Sequence, residues 1–199
     1  MKLPADFYLR EDPCIISKEL LGKTLFSRVD DQLCCGIIVE TEAYMGPVDR
    51  GSHAWNLKRT PRNEIMYSTG GVVYMYICYG IHDMLNVVTG PAETPHAVLI
   101  RAVEPVSGIE IMRERRGVIN NDFRLCQGPG ALAKAFGLQK IHNGLSLQHD
   151  TIWIEEGAEV EESRIVTASR VGLNIEEPYK SIPWRYYIKG NKFVSKPRT

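Results

Sequence analysis

The segment GVVYMYICYGIHDMLNVVTG, from Gly71 to Gly90, holds the strongest strand signal in the chain. Its two apolar runs, VVYMYICY and MLNVVTG, are rich in β-branched and aromatic residues, which favour strands. A turn at Gly80 to Asp83 would join them as an antiparallel pair. The apolar runs are too short to span a bilayer. We therefore predict a hairpin that carries three tyrosines in its first strand and at its tip: Tyr74, Tyr76 and Tyr79.

The rest of the chain adds helices and further strands around this hairpin. Asp12 and Pro13 begin a predicted helix that Gly22 ends. Further helices are expected in VSGIEIMRERRG and LCQGPGALAKAFGL, and a long loop in GPVDRGSHAWNLKRTPRN. Strands are expected in KTLFSRV, CCGIIVETEAY, HAVLIRAVEP, TIWIEEG, RIVTASRVG and RYYIKG. Because helices and strands do not alternate regularly, the order predicts an α+β fold with a mainly antiparallel sheet.

Composition predicts an ordinary soluble globular protein that forms a single domain over residues 1–199. The chain has 199 residues, of which 44% are hydrophobic and 24% are charged. Five irregularly spaced cysteines form no zinc-binding pattern, so we expect reduced thiols in a cytosolic protein and no metal. The cysteines are Cys14, Cys34, Cys35, Cys78 and Cys126.

The net charge is zero, which by itself does not indicate a nucleic-acid-binding protein. Basic residues are nevertheless concentrated in KRTPR, residues 58–62, and in residues 179–199, which contain no acid. The bases of that second segment are Lys180, Arg185, Lys189, Lys192, Lys196 and Arg198. These charges either form one basic face or are scattered for solubility, and composition alone favours the second interpretation.

The segment VETEAY contains the most informative candidates for chemistry. In a strand over residues 37–44, Glu40, Glu42 and Tyr44 share one face. One interpretation is a strand whose polar face is exposed to solvent. The preceding apolar run GIIV instead indicates burial, and a buried glutamate is costly unless it is paired or functional. A partly desolvated glutamate is suited to act as a general base toward water.

Aromatic residues and one histidine offer candidates for a binding pocket. Tyr74 and Tyr76 share a strand face, which is typical of core packing but also of a stacking surface. Tyr79 precedes Gly80 at the predicted tip, so we expect it to be exposed. His53 lies in the loop, where a lone histidine is more often without function. Together with a carboxylate these rings indicate a pocket for a flat, electron-poor ring, and KRTPR beside them indicates a nucleic acid.

With these motifs taken in order, the sequence resembles the alkyladenine (3-methyladenine) DNA glycosylases of the human and bacterial type. The resemblance covers nearly the whole chain and lies in VETEAY, GPVDRGSHAWNLKRTPRNEIMY, VVYMYICYGIHDMLNVV, VLIRAVEP and LCQGPGALAKAFGL. It implies one mixed α/β domain with a curved antiparallel sheet and a protruding hairpin. It also implies an enzyme that excises 3-methyladenine, 7-methylguanine, hypoxanthine or ethenoadenine from double-stranded DNA without a metal or cofactor.

The resemblance also assigns roles to individual residues. Glu42 corresponds to the catalytic glutamate and Arg101 to the arginine near the catalytic water. The residues that contact the extracted base would be Tyr44, His53, Tyr76 and Asn86. Tyr79 would enter the DNA, and the residues near the DNA backbone or gap would be Thr60, Arg62 and Met66. The sequence departs from the mammalian pattern at His82, where those enzymes have another aromatic residue on the hairpin, and in its neutral charge.

The implied mechanism is base flipping followed by hydrolysis with water as the nucleophile, so no strand cleavage is expected. The expected protein is a monomer with no membrane association, located in the cytoplasm of a bacterium or in a eukaryotic nucleus. Two alternatives stay open. A non-catalytic nucleic-acid-binding module would gain nothing from Glu42. A nuclease would need clustered metal-binding carboxylates, and only Glu40 and Glu42 lie close together.

Overall fold

A computed structural model of the chain describes residues 1–117 and 122–197. Its strands are β1 (Thr24–Val29), β2 (Gln32–Tyr44), β3 (Val73–Cys78), β4 (His82–Thr89), β5 (His96–Ser107), β6 (Ile152–Glu155), β7 (Ile165–Ala168) and β8 (Arg185–Ile188). Its α-helices are α1 (Pro13–Glu19), α2 (Ile109–Arg116) and α3 (Pro129–Ala135). Short 3₁₀ helices cover Ala5–Leu9, Gly46–Val48, Trp55–Leu57, Glu64–Tyr67, Asp122–Arg124, Lys140–His142 and Glu162–Arg164.

All strands belong to one antiparallel sheet with the order β3-β4-β5-β2-β1-β6. The long strand β2 also pairs with β8 beyond the end of β1, and β8 pairs with β7. The pairing of β2 with β5 shifts register at Cys35/Gly36 and on both sides of Glu40. Such irregularities bend a strand and increase its twist, which curves the sheet. The predicted α+β fold with a curved, mainly antiparallel sheet is confirmed.

Local sequence signals determine the first elements. The Asp12 carboxylate accepts a hydrogen bond of 2.8 Å from the amide of Cys14 and so caps α1, as predicted. The turn between β1 and β2 consists of Asp30 and Asp31, with φ angles of 53° and 58°. Two residues at positive φ match the twist of a two-residue hairpin, which explains why this acidic pair joins the strands.

Strands β3 and β4 form the predicted hairpin. Cys78 pairs with His82, so the connection consists of Tyr79, Gly80 and Ile81. The predicted turn at Gly80 to Asp83 therefore lies slightly too late, because His82 and Asp83 already belong to β4. Tyr79 and Gly80 have φ angles of 51° and 74°, as a tight turn requires. The side chains of Tyr79 and Ile81 are 84% and 74% exposed, so the tip projects into solvent.

Apolar side chains form two clusters. The larger one lies between the sheet and the helices, with Ile38, Val103, Met112 and Phe136 among its fully buried members. The smaller one is Ala54, Met66, Tyr67, Tyr74, Val88 and Ala97. It packs the long loop that follows β2 against β3, β4 and β5, and so supports the base of a cavity at this end of the sheet.

The five cysteines are free thiols, as predicted, and Cys34, Cys35 and Cys126 are buried. Within residues 1–117 and 122–197, every helix is too short or too polar to cross a membrane.

Candidate active site

The two glutamates of β2 are fully buried and share one arginine from β5. Arg101 donates from Nε to Glu40 over 2.8 Å, and its Nη1 lies 3.2 Å from Glu42. Their common contact with Arg101 confirms that Glu40 and Glu42 lie on the same side of the strand, as predicted. Burial would lower the pKa of Arg101, but Glu42 and Glu40 raise it above its ordinary value, so the guanidinium stays charged.

Glu40 uses both carboxylate oxygens to hold the end of the chain. Oε1 accepts from Arg185 Nε at 2.7 Å and from Ser195 Oγ at 2.8 Å, while Oε2 accepts from the Ser195 amide at 2.7 Å. Burial acts to raise the pKa of Glu40, but Arg101, Arg185 and the Ser195 hydrogen bonds bring it below its usual range. Glu40 is therefore a paired carboxylate that fixes the segment after β8 against β2.

Besides Arg101, Glu42 has two partners that Glu40 lacks. Oε1 accepts a hydrogen bond of 2.7 Å from the amide of Val171, and Oε2 accepts one of 3.0 Å from the hydroxyl of Tyr44. Burial, followed by the charge of Glu42, raises the pKa of Tyr44 well above its ordinary value, so its hydroxyl stays protonated and donates. Glu42 thus lies directly behind Tyr44, which forms part of the cavity wall.

The cavity beside Glu42 has a volume of about 230 Å³. This is below the roughly 300–1,000 Å³ of pockets for drug-sized ligands, so it suits one small, flat molecule. Its lining residues are Tyr44, Gly51, Ser52, His53, Arg62, Met66, Tyr74, Tyr76, Cys78, Tyr79, Asn86, Ala97 and Leu173. A larger groove of about 980 Å³ lies elsewhere and contains none of these residues.

Aromatic side chains make up much of the cavity wall. The rings of Tyr74 and Tyr76 have centroids 5.5 Å apart, and the His53 ring meets Tyr76 edge-on at 4.6 Å. Nδ1 of His53 lies 2.8 Å from the hydroxyl of Tyr74. Burial, together with Arg62 and Lys58, lowers the pKa of His53 to about 4, so the ring is neutral at neutral pH. The cavity therefore offers uncharged π surfaces to a ligand.

The predicted base-contacting residues are brought together. Tyr44, His53, Tyr76 and Asn86 all line the cavity, and so does Tyr79 from the hairpin tip. Asn86 is 97% buried, and its Nδ2 donates to the carbonyl oxygens of Tyr74 at 3.2 Å and Met84 at 3.4 Å. These bonds fix the orientation of the amide at the edge of the cavity.

Thr60, Arg62 and Met66 occupy different positions relative to the cavity. Thr60 turns inward and donates from its amide and its hydroxyl to Oδ1 of Asn63, at 2.7 and 2.8 Å. Met66 is buried in the cavity wall. Arg62 is exposed at the mouth, with its guanidinium 5.4 Å from the centre of the Tyr76 ring. Of these three residues, Arg62 is therefore the one that presents an exposed charge at the cavity.

Asn63 was not singled out from the sequence, although it organises the loop. Its Nδ2 donates to the carbonyl oxygens of His53 at 2.9 Å and Lys58 at 2.7 Å. The segment between them contains Asn56 and Leu57 at φ angles of 54° and 58°, in the left-handed region. One asparagine thus closes this loop, but an asparagine among turn residues gives no pattern that would reveal such a role.

The loop after β7 supplies further unpredicted residues. RIVTASRVG was predicted as a strand, but β7 ends at Ala168 and Arg170 and Val171 lie in the following loop. The Val171 amide reaches Glu42, Leu173 lines the cavity, and Arg170 pairs with Asp49. These contacts join residues more than 100 positions apart, so no periodic signal in the sequence could show them.

Some basic residues of the two segments are paired with glutamates, so fewer of them are free to contact a ligand than the sequence indicates. Arg185 is buried against Glu40, so it belongs neither to a basic face nor to scattered surface charges, the two interpretations that the sequence left open. Arg59 lies 2.7 Å from both Glu64 and Glu93, while Lys58 is exposed. The remaining predicted bases Lys180, Lys189, Lys192 and Lys196 are exposed, and Arg198 lies outside the described residues.

His82 packs against the turn that begins α3. A Cβ atom added to Gly130 would lie 3.0 Å from the His82 ring, so the glycine gives this ring room. Across the described ranges, no group of three or more histidine, cysteine, aspartate or glutamate side chains could hold a metal ion.

The sequence is similar to known proteins over nearly its whole length. The family model described as methylpurine-DNA glycosylase matches residues 6–192. A Clostridium acetobutylicum protein named as a 3-methyladenine DNA glycosylase is 44% identical over 98% of both chains. Proteins with the same name from Chlamydia felis and Natranaerobius thermophilus are 42% and 41% identical, over 96% and 98% of this chain and 97% and 99% of theirs.

Proposed function

The chain belongs to the methylpurine-DNA glycosylase family, and from that premise we propose that it removes alkylated or deaminated purines from double-stranded DNA. The proposed substrates are 3-methyladenine, 7-methylguanine, hypoxanthine and ethenoadenine. As a DNA glycosylase it breaks the N-glycosidic bond between base and deoxyribose. We further propose that it acts as a monomer in which residues 1–199 form one domain.

The observation that carries the proposal is that Glu42, which does not itself line the cavity, accepts a hydrogen bond from Tyr44 in its aromatic wall. A cavity of about 230 Å³ behind a projecting hairpin cannot be reached by a base that stays stacked in a duplex. In the proposed mechanism the target nucleotide therefore rotates out of the helix. Unstacking costs a few kcal/mol, and less for a damaged pair. Stacking on Tyr44, Tyr76 and His53 would restore part of that free energy.

Cationic and neutral lesions differ in what the base needs before it can leave. 3-Methyladenine and 7-methylguanine are cationic in DNA, and the π faces of the cavity attract a cation. Hypoxanthine and ethenoadenine are neutral, so their departure requires a proton on the leaving base. In each case the C1′–N bond breaks with its electron pair leaving on the base, and positive charge develops on the sugar.

In the proposed mechanism Glu42 assists this step as a carboxylate. It would stabilise the positive sugar and accept a proton from the water whose oxygen bonds to C1′. The Val171 amide, the Tyr44 hydroxyl and Arg101 all contact Glu42 and fix its orientation. Among the described residues, no lysine lines the cavity. Water is therefore the proposed nucleophile, and the products are a free base and an abasic site without strand cleavage.

The test is single-turnover release of hypoxanthine from a duplex with one defined lesion, by wild-type protein and by Glu42→Gln. We expect Glu42→Gln to bind the lesion duplex normally and to lose about 10²–10⁴-fold in rate. Glu40→Gln serves as the matched control. It removes one of two charges around Arg101 but should reduce stability, because Arg185 is left buried without its carboxylate.

A rate per folded molecule that falls in Glu40→Gln but not in Glu42→Gln would move the catalytic role to Glu40. Binding of lesion DNA without release of any base, tested with one duplex for each of the four proposed substrates, would instead indicate a nucleic-acid-binding module. In both experiments, folding is checked by thermal denaturation before rates are compared.

A further inference from the structure

Asp49 and Arg170 form a fully buried ion pair behind the cavity. Nη1 and Nη2 of Arg170 lie 2.5 and 2.7 Å from the two carboxylate oxygens of Asp49, and both side chains have an exposure of 0%. Two parallel bonds of this kind fix the planes of both groups relative to each other. The pair joins the loop after β2 to the loop after β7, across 121 positions in the sequence.

Further hydrogen bonds tie the pair to the backbone on both sides. Asp49 accepts from the amides of Gly51 at 2.8 Å and Met45 at 3.3 Å. Arg170 donates from Nη1 to the carbonyl of Ala43 at 3.2 Å. Ala43 lies next to both Glu42 and Tyr44 in β2. The pair therefore fixes the end of β2 and both loops as one unit.

Arg170 also lies against the wall of the cavity. Its guanidinium is 4.7 Å from the centre of the Tyr44 ring and 4.9 Å from that of Trp184. A Cβ atom on Gly51 would come within 2.9 Å of Arg170 Nη2, so only glycine leaves room here. Tyr44 and Gly51 line the cavity but Arg170 does not. The guanidinium thus forms the layer behind that wall.

Stability alone does not explain this pair. Removing two charges from water is costly, and well-packed apolar side chains often replace a buried ion pair without loss of stability. The residue after Arg170 is Val171, whose amide donates to Glu42 over 2.7 Å. Leu173 then reaches the cavity. The position of the Asp49–Arg170 pair is explained if the pair helps to hold the residues that contact Glu42 and line the cavity.

We propose that Asp49 and Arg170 are positioning residues that hold the Val171 amide on Glu42 and keep the charge behind Tyr44 balanced. This inference rests on the proposed function. An arginine stays protonated in a protein, so without Asp49 a full positive charge would lie behind the cavity wall. That charge would repel cationic lesions more than neutral ones. With Asp49 present, the same cavity accepts both classes.

The positioning part is tested by amide hydrogen exchange at Val171, a measurement that does not depend on catalysis. The variants are Asp49→Asn and the double variant Asp49→Asn/Arg170→Gln, and both break the charged two-bond contact. We expect the Val171 amide to exchange at least about tenfold faster in both. Arg113→Gln is the control, because it removes an arginine that makes two 2.9 Å bonds to Asp122 away from the cavity.

The charge part is tested by the ratio of single-turnover rates for 7-methylguanine, which is cationic, and hypoxanthine, which is neutral. We expect Asp49→Asn to lower this ratio by about tenfold, since it leaves Arg170 uncompensated. The double variant removes both charges and should return the ratio to the wild-type value, although the Val171 amide still exchanges fast. A role in folding alone would change both rates by the same factor.

Val171 exchange at the wild-type rate in both variants would overturn the positioning role. An unchanged ratio in Asp49→Asn would overturn the charge role. Failure of the proposed function has a different signature, because wild-type protein and Arg113→Gln would then release neither base while the exchange result still decides the positioning role.

Discussion

The hydroxyl of Tyr74 lies 2.8 Å from Nδ1 of His53, and this contact joins strand β3 to the loop that forms one wall of the cavity. Burial lowers the pKa of His53 to about 4 and raises that of Tyr74 to about 12. Both groups are therefore neutral across the physiological range. The contact is therefore a hydrogen bond between two neutral groups, and the tautomer of His53 decides which of them donates.

This neutral histidine should make stability depend on pH. The pKa of His53 is about 6.5 in the unfolded chain and about 4 in the folded protein. Between these values the unfolded state binds more protons, so the free energy of unfolding falls as pH decreases from about 6.5 toward about 4. Above that window the contribution of His53 is fully present. We expect His53→Gln to show a weaker loss of stability with acid in urea denaturation.

The matched control is His149→Gln, which removes an exposed histidine. It should reproduce the wild-type dependence on pH. If His53→Gln and wild-type protein lose stability in parallel between pH values of about 6.5 and 4, His53 is not held neutral by its surroundings.

Asn86 should determine which purines are rejected. Its amide is buried and fixed by two carbonyl groups at the edge of the cavity. A normal guanine carries a 2-amino group that hypoxanthine lacks, and a fixed side chain at this edge would clash with it. We expect Asn86→Ser to release more undamaged guanine relative to hypoxanthine, by about tenfold or more, in a competition assay on duplex DNA.

Asn143→Ser provides a control for the loss of an asparagine near the hairpin. Asn143 accepts from the amide of Met75 at 2.9 Å but does not line the cavity. Its substitution should reduce stability without changing the guanine-to-hypoxanthine ratio. An unchanged ratio in Asn86→Ser would mean that selection occurs elsewhere.

Much of the fold could be predicted from sequence because its signals are local. Asp12 and Pro13 begin α1, and two aspartates form the turn that joins β1 to β2. The alternation of side chains along β2 places Glu40 and Glu42 on the same side of the strand. Each signal depends on residues within a few positions of one another. The hairpin turn was misplaced by a small amount because Gly80 shares the turn with Tyr79, a non-glycine residue at positive φ.

The site was predicted less completely because its support comes from distant parts of the chain. The apolar run GIIV indicated that Glu42 is buried, but it could not show that Val171 and Arg101 contact it. The same limit applies to Asp49 and Arg170, whose pairing depends on where two loops meet. A buried ion pair looks, in sequence, like two ordinary surface charges.

The salt dependence of DNA affinity should distinguish Lys58 and Arg62 from Arg59, which is already paired with two glutamates. When the logarithm of the affinity is plotted against the logarithm of the salt concentration, each phosphate that a cation neutralises contributes roughly −0.9 to the slope. Lys58→Ala and Arg62→Ala should each flatten the slope by about one. Arg59→Ala should change it less, because Glu64 and Glu93 already hold its guanidinium. Fluorescence anisotropy with a lesion duplex measures these slopes.

Lys18→Ala is a control outside the KRTPR loop, since Lys18 lies on α1 and pairs with Glu162 at 2.6 Å. It should leave the slope unchanged. Equal effects of Arg59→Ala and Arg62→Ala would show that DNA displaces the glutamates from Arg59. An affinity independent of salt in every variant would contradict a phosphate contact by this loop.

We propose that Tyr79 fills the space that a flipped nucleotide leaves. It is 84% exposed at the tip of the β3–β4 hairpin and also borders the cavity. A flat ring can stack on the base pairs next to the gap, and aromatic–base contacts contribute about 1–3 kcal/mol each. Gly80 has nothing within 4 Å of an added Cβ, so its value lies in its positive φ, which turns the chain directly after the ring.

We therefore expect Tyr79→Ser to impair flipping more than bond cleavage. With a fluorescent ethenoadenine duplex, the extruded state should become less populated by an amount equivalent to about 1–3 kcal/mol. On single-stranded substrate no gap needs filling, so excision by the variant should approach the wild-type rate. Ile81→Ser, which removes a neighbouring exposed side chain that is apolar but not flat, should have a smaller effect on duplex DNA. Equal losses on duplex and single-stranded substrates in Tyr79→Ser would instead mean that Tyr79 acts through the cavity wall and not in the gap, because a wall residue serves both substrates in the same way.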